Sequence, residues 1–220
     1  MRWVEVPFHS QRNIGVLEST YARGTFRWSD RSCAVACLTM VLGHFGITVS
    51  LEEVLQRGLL YGAFDPTRGW LHSGQVNVLQ SYGLTAYRRN WRLMHGRERE
   101  YLAGRTATVE AMREIELVKS QLIEEGRWRV QHLLAAGVPL IMSVYRPWGD
   151  ATSIGHQVVL LSSDAGVVTF HDPALETGAY SRRGEPDFFA NWKGTAIVAR
   201  DGEFTPGPSP PVQVEGTEHP

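Results

Sequence analysis

The stretch that decides the fold is Ser29 to Phe45, SDRSCAVACLTMVLGHF. It opens with Ser29 and Asp30, residue types that start helices by accepting a backbone N–H, and both are read as N-cap candidates. It then runs apolar for about three turns before Gly46, which takes the usual C-cap place. Cys33 falls in the first turn, where unpaired backbone N–H groups and the positive end of the helix dipole favour an anion. A thiol is easily ionised there, and the thiolate is the nucleophile. Cys33 is therefore read as a catalytic nucleophile on a buried central helix. That reading obliges the rest of the chain to supply a base, an orienting group and an oxyanion donor.

Composition sets the bounds. The chain has 220 residues with 43% hydrophobic and 20% charged content, which suits a globular protein with one sizeable core. The net charge of −1 gives no global basic field, so nucleic acid is not an expected partner. No apolar run approaches the ~20 residues of a membrane span. The N-terminus, MRWVEVPFHSQ, lacks the apolar core of a signal peptide, and the chain as given reads as cytoplasmic. Cys33 and Cys37 lie i,i+4 on the helix, which is not a disulfide framework. Their spacing also does not suit zinc. Neither a metal nor a cofactor is called for.

Working outward, Trp3 to Val6 alternate apolar and polar and read as a short edge strand closed by Pro7. Arg12 to Arg31 reads as a surface loop. Ser50 and Glu53 form a capping box for a second helix ending near Gly58. A turn-rich segment holding Trp70 and His72 follows, then a helix over Gln75–Ser81 and a strand over Leu84–Tyr87. Thr108 to Glu125 places Val109, Met112, Ile115, Val118 and Leu122 at helical spacing, and a separate short helix is expected over Val130–Ala136. Strands are expected at Pro139–Tyr145, His156–Leu161, Val167–Phe170 and Thr195–Ala199, with an aromatic group at Phe188–Trp192 between the last two. From 204 on, the chain is rich in Pro and Gly and reads as a disordered tail. Helices followed by strands point to an α+β domain over 1–203.

Eight histidines compete for the role of base. His44 lies three turns along the same helix, about 16 Å from Cys33, and is excluded. His219 is in the tail, and His95 and His132 sit in the charged helical region. His9, His72, His156 and His171 remain, and His156 has the best context, opening a strand after Gly155. A hairpin about Ser163–Gly166 aligns it with Asp172. If paired residue numbers sum to 328, the two are directly opposite. If they sum to 330, Asp172 is a diagonal neighbour on the same face, about 7–8 Å away. In both registers the carboxylate can orient the imidazole. His171 points to the other face and reads as a partly exposed polar residue.

Five blocks, VPFHSQ, SCAVACLTMVLGHFG, GHQVVLL, VTFHDP and FFANWKGTAIV, resemble in order the papain-like cysteine peptidases called C-thirty-nine-like, over most of residues 4 to 199. The best-known branch of that family trims double-glycine leader peptides from bacteriocins. The resemblance implies a papain-like fold, with the Cys helix packed on a C-terminal antiparallel sheet. It implies a peptide or protein substrate, with Cys33 as nucleophile, His156 as general base and acid, and Asp172 as orienting acid. It also implies that Gln11 and the backbone N–H of Cys33 form the oxyanion hole. The charged helical segment, about 92–129, looks like an insertion. The family pattern has Cys-Gly-Pro where this chain has Cys33-Ala34-Val35. The functional reading is hydrolysis through an acyl-thioester. The alternatives are acyl transfer by a transpeptidase or peptide cyclase, and a catalytically idle module that binds peptides, which the missing glycine favours.

Overall fold

Apolar strand segments in the second half of the chain build one antiparallel sheet, and the apolar Cys33 helix packs on it. The computed structural model describes residues 4–15, 18–21, 24–92, 108–148 and 155–202. The six-stranded sheet contains β5 (Thr85–Asn90), β6 (Leu140–Tyr145), β7 (Gly155–Asp164), β8 (Val167–His171), β9 (Ser181–Gly184) and β10 (Trp192–Arg200). Their order is β5-β10-β6-β7-β8-β9, and every pairing is antiparallel. The helices are α1 (Trp28–Arg31), α2 (Cys33–His44), α3 (Leu51–Leu60), α4 (His72–Ser81), α5 (Val109–Ala135) and α6 (Glu185–Ala190). Two small hairpins complete the described elements: β1 (Glu18–Tyr21) with β2 (Gly24–Arg27), and β3 (Phe64–Asp65) with β4 (Gly69–Trp70).

The central helix is buried along its length, from Ala34 to Leu42 without interruption. A helix apolar on every side has no solvent face to offer, so it must be enclosed. It packs on β6 and β7 and is covered by α3 and α4. Every residue of β7 from His156 to Ser162 is buried, with α2 and α5 both against the strand. Gly46 has φ +76°, the left-handed C-cap geometry that glycine adopts without strain. Ser50 accepts the Glu53 N–H at 3.1 Å, as the capping box requires. No helix among the described residues is long and apolar enough to cross a membrane.

Several elements differ from the sequence reading. Ser29 and Asp30 lie inside the short helix α1, and the residue before α2 is Ser32. The expected loop over Arg12–Arg31 holds a 3-10 turn (Gln11–Asn13), the β1–β2 hairpin and α1. Val4 to Val6 form no strand. They are tethered by the Val4 N–H to the Leu161 carbonyl at 3.4 Å, and Val4 and Val6 bury their side chains. The third helix starts earlier, at His72. The charged segment and the short helix after it are one continuous helix, α5. The expected tail from 204 and residues 93–107 of the expected insertion lie outside the described residues.

The apolar stripe expected on α5 is only partly buried. Ile115 is covered, whereas Val109 and Met112 are exposed; the buried line runs through Ala111, Ile115, Gly126, Val130 and Leu134. A helix of 27 residues is about 40 Å long, roughly twice the length of the six-residue β6. The sheet cannot cover both of its ends. Gly126 lies where α5 meets two indoles: a Cβ there would stand 2.6 Å from Trp192 and 2.9 Å from Trp91. Gly126→Val is expected to overpack this contact and cost about 1–3 kcal/mol, read as a lower midpoint in urea denaturation. An unchanged midpoint would show that the two rings yield freely.

Candidate active site

The start of α2 is held by aromatic packing. Trp28, fully buried, sets its ring edge-on to Phe64 at 4.9 Å and against Trp70 at 6.2 Å between centroids. The Trp70 Nε1–H donates to the Arg31 carbonyl at 2.6 Å, and the Ala36 N–H bonds the Ser32 carbonyl at 2.9 Å. Cys33, the first residue of the helix, keeps partial access to solvent, while Cys37 one turn later is fully buried.

His156 and Asp172 meet because of a register change. Near the turn the β7–β8 pairs sum to 331 (Asp164 with Val167, Ser163 with Val168), closed by Ala165 and Gly166 with φ +48° and +76°. That is the two-residue turn whose twist suits a hairpin. Continued to the far end, this register would send His156 and Asp172 to opposite faces, since a one-residue slip inverts every side chain. Leu161 is unpaired, a bulge that shifts the ladder to sums of 330 (Leu160 with Phe170, Val159 with His171). Asp172 follows as the diagonal neighbour of His156 on the same face. The second of the two registers read from the sequence is the one adopted.

The His156 Nε2 lies 2.7 Å from Asp172 Oδ1, with both side chains buried. Nε2–H donates to the carboxylate, which leaves Nδ1 for the Cys33 thiol, with which His156 shares a hydrogen bond. Burial alone would push the thiol up. The His156 hydrogen bond and charge, with the backbone N–H groups of Gln157 and Ala34, outweigh burial and bring the thiol below its ordinary value. Burial would likewise lower the imidazole, but hydrogen bonds to Asp172 and Cys33 and their negative charge raise it to about 9. Asp172 falls below its ordinary value because the His156 hydrogen bond and charge, the Ala174 N–H and Arg146 outweigh burial. The two shifts are coupled: the imidazolium draws the thiol down and the thiolate draws the imidazole up.

Asp172 is held by groups that no sequence pattern marked. Its Oδ1 also accepts from the Ala174 N–H at 3.0 Å and from Arg146 Nη1 at 3.4 Å. Its backbone N–H donates to the Gly178 carbonyl at 2.9 Å, and a Cβ on Gly178 would stand 1.9 Å from the Asp172 carbonyl oxygen. Only glycine permits that approach. Arg146 and Gly178 show themselves only once the chain is folded.

Gln11 is buried between the two halves of the site. Its backbone N–H donates to the Pro173 carbonyl at 2.8 Å, beside Asp172, and its Nε2 donates to the Ser29 carbonyl at 2.7 Å, four residues before Cys33. Among the described residues one Nε2 hydrogen keeps no protein partner, and Oε1 has none either. Among the described residues, neither the other three histidines weighed as bases, His9, His72 and His171, nor the excluded His44 hydrogen-bonds Cys33 or Asp172. His171, read as partly exposed, is fully buried: its Nε2–H donates to the Val6 carbonyl at 3.0 Å, and its Nδ1 accepts the Tyr180 N–H at 3.1 Å. The N-terminal segment packs over it, which the strand pattern alone does not reveal. His44 bonds the Glu5 carbonyl at 2.6 Å. His72 bonds Ser143, and His9 sits on the N-terminal segment with its pKa lowered by burial.

Alkylation of Cys33 followed against pH is expected to give an apparent pKa below the free-thiol value of about 8.5, because the imidazolium outlasts neutral pH. Asp172→Asn is expected to raise it, since His156 loses the anion that holds its proton. Gly178→Ala is expected to move it the same way by displacing the Asp172 backbone. An apparent pKa near 8.5 in all three proteins would contradict the coupling.

The model of the Peptidase_C39 like family matches residues 4–199. Among solved structures, a Bacillus anthracis protein assigned as a C39-like peptidase is similar, with TM-score 0.55 and 15% identity, over 93% of this chain and 100% of its own. A double-glycine motif protease from an AMS/PCAT transporter, crystallised in complex with the leader peptide, is similar with TM-score 0.50 and 18% identity, over 91% of this chain and 94% of its own. At these identities the likeness is one of fold, and it is the papain-like α+β fold expected from the sequence. No curated protein sequence matches.

Proposed function

The chain belongs to the Peptidase_C39 like family, a family of cysteine peptidases, and from that premise we propose that it is a cysteine peptidase or amidase working through an acyl-thioester on Cys33. The supporting observation is the single imidazole of His156, bonded on Nε2 to Asp172 at 2.7 Å and sharing a hydrogen bond with Cys33. In this reading, residues 1–203 form one peptidase domain that carries a helical insertion over about 92–129.

The Cys33 proton passes to His156 Nδ1, and the thiolate attacks the scissile carbonyl carbon. The carbonyl π pair moves to oxygen, which takes hydrogen bonds from the Cys33 N–H and the spare Gln11 Nε2–H. Cys33 opens α2, so its N–H is not used in that helix's own ladder. The C–N bond breaks as His156 returns the proton to the leaving amine, and an acyl-thioester remains. His156 then takes a proton from water, the hydroxyl oxygen attacks the thioester, and Cys33 leaves with the proton restored. Asp172 keeps the imidazole in the tautomer and orientation both steps need. Ala34 in place of glycine does not block this chemistry: its side chain is buried and its backbone N–H is turned to the sulfur.

Digestion of a mixed peptide library, read by mass spectrometry, is expected to show cleavage that is lost in Cys33→Ala and reduced about 10³-fold or more in His156→Ala. Gln11→Ala is expected to lower kcat by about 10²–10³. New masses that incorporate an added amine in place of water would redirect the reading to acyl transfer. Binding without cleavage, unchanged by His156→Ala, would sink it.

A further inference from the structure

A cluster of buried polar side chains lies beside the Cys33 site and takes no part in the chemistry above. Its floor is the β6–β7 ladder, where Ser143 pairs directly with Gln157. Their side chains stand on one face, with Cβ atoms about 5 Å apart. His72, first residue of α4, closes onto Ser143 with its Nε2 2.7 Å from Oγ. Gln75 lies three residues on, on the same side of α4. Gln75 is fully buried and Gln157 is 6% exposed, yet Oε1 of each has no hydrogen-bond partner. Gln75 keeps one hydrogen bond, from Nε2 to the Trp70 carbonyl at 3.4 Å, but buried amide oxygens without a partner are rare in finished cores.

The rim is cationic. Arg88 on β5, Arg92 just beyond it and Lys193 on β10 all act on His72, whose pKa falls to about 4 through burial and then their charge. His72 is therefore neutral at pH 7, and the three cations carry the field. The Lys193 ammonium lies 4.7 Å over the Tyr145 ring, and a Cβ on Gly155 would stand 3.0 Å from Nζ. Gly155 immediately precedes His156, and the Gln157 N–H reaches the Cys33 sulfur. Gly155, beside the Lys193 ammonium, and Gln157, whose backbone N–H reaches the sulfur, thus flank His156 along β7. Among the described residues no carboxylate forms an ion pair with Arg88, Arg92 or Lys193. Cations gathered without a counter-charge repel one another, and an anion between them relieves that repulsion.

We propose that this polar cluster and its cationic edge form a substrate subsite for a carboxylate of the peptide, with Lys193 and Arg92 supplying the charge and Ser143 and Gln157 the neutral hydrogen bonds. It rests on the reading of Cys33 as nucleophile. The carboxylate belongs either to an Asp or Glu side chain or to the C-terminus of the peptide, and both present the same two oxygens. The Gln157 amide has no side-chain partner to fix its orientation, so its NH₂ end can turn to the ligand.

Two thiol reagents that differ in charge test the field without a known substrate. Iodoacetate and iodoacetamide rates at Cys33 are measured in the wild type, Lys193→Glu and Arg92→Glu. Each variant is expected to slow iodoacetate about three- to tenfold and leave iodoacetamide unchanged, the second rate showing that the fold and thiol are intact. Parallel changes with both reagents, or none, would overturn the subsite. A Cys33 inert to both reagents would instead overturn the nucleophile reading, and the subsite with it. Peptide libraries with free and amidated C-termini separate the two carboxylates. An Asp or Glu preference at one fixed position that survives amidation assigns the side chain. A preference lost on amidation assigns the terminus. Cleavage indifferent to both contradicts the proposal.

Discussion

The site depends on one unpaired residue, Leu161. The tight turn at Ala165–Gly166 sets one register, and the far end of the hairpin needs another. The bulge reconciles them by letting Leu161 drop out of the ladder, so that His156 and Asp172 share a face. The same bulge region receives the N-terminal segment, whose Val4 N–H bonds the Leu161 carbonyl. That segment continues to Gln11, which bonds Pro173 beside Asp172 and Ser29 four residues before Cys33. Val4 and Leu161, and Gln11 and Pro173, far apart in the chain, are thereby held against one another by backbone hydrogen bonds, which are insensitive to side-chain identity.

Electrostatics then follows from burial. Cys33, His156 and Asp172 are each ionisable in a setting that penalises a lone charge. Each charged form is favoured by the next: carboxylate, imidazolium and thiolate in sequence, with Arg146 and the Ala174 N–H at one end and the Gln157 and Ala34 N–H groups at the other. Such a chain is cooperative. Cys37 shows the contrast. It is the same side chain one turn deeper, with burial and the nearby Cys33 and Asp172 charges driving its pKa well above the ordinary value.

Much of this was legible in the residues. The run from Cys33 to Gly46 announced a buried helix, and the Ser50–Glu53 box announced the next. The hairpin arithmetic limited His156 and Asp172 to two registers, because a side-chain period of two leaves few choices. It could not choose between them, since the choice depends on a bulge that costs the sequence nothing visible: Leu160, Leu161 and Ser162 read as continuous strand. Ser29 and Asp30 look like caps but belong to α1, whose Trp28 is pulled into an aromatic cluster by tertiary packing. The α5 stripe failed for a related reason: periodicity shows which residues share a face but not how far the sheet extends beneath it. Arg146, Gly178 and the Ser143–Gln157 cluster depend on contacts between distant segments, which no local pattern encodes.

The claim on which all of this turns is that His156 is an imidazolium paired with a thiolate. The most direct measurement is an NMR titration of the His156 ring nitrogens in the wild type and in Cys33→Ser. The structure predicts a protonated ring through neutral pH, titrating near 9, with a clear downward shift when the sulfur is removed. Titration at or below the ordinary 6.5, the same in both proteins, would contradict it.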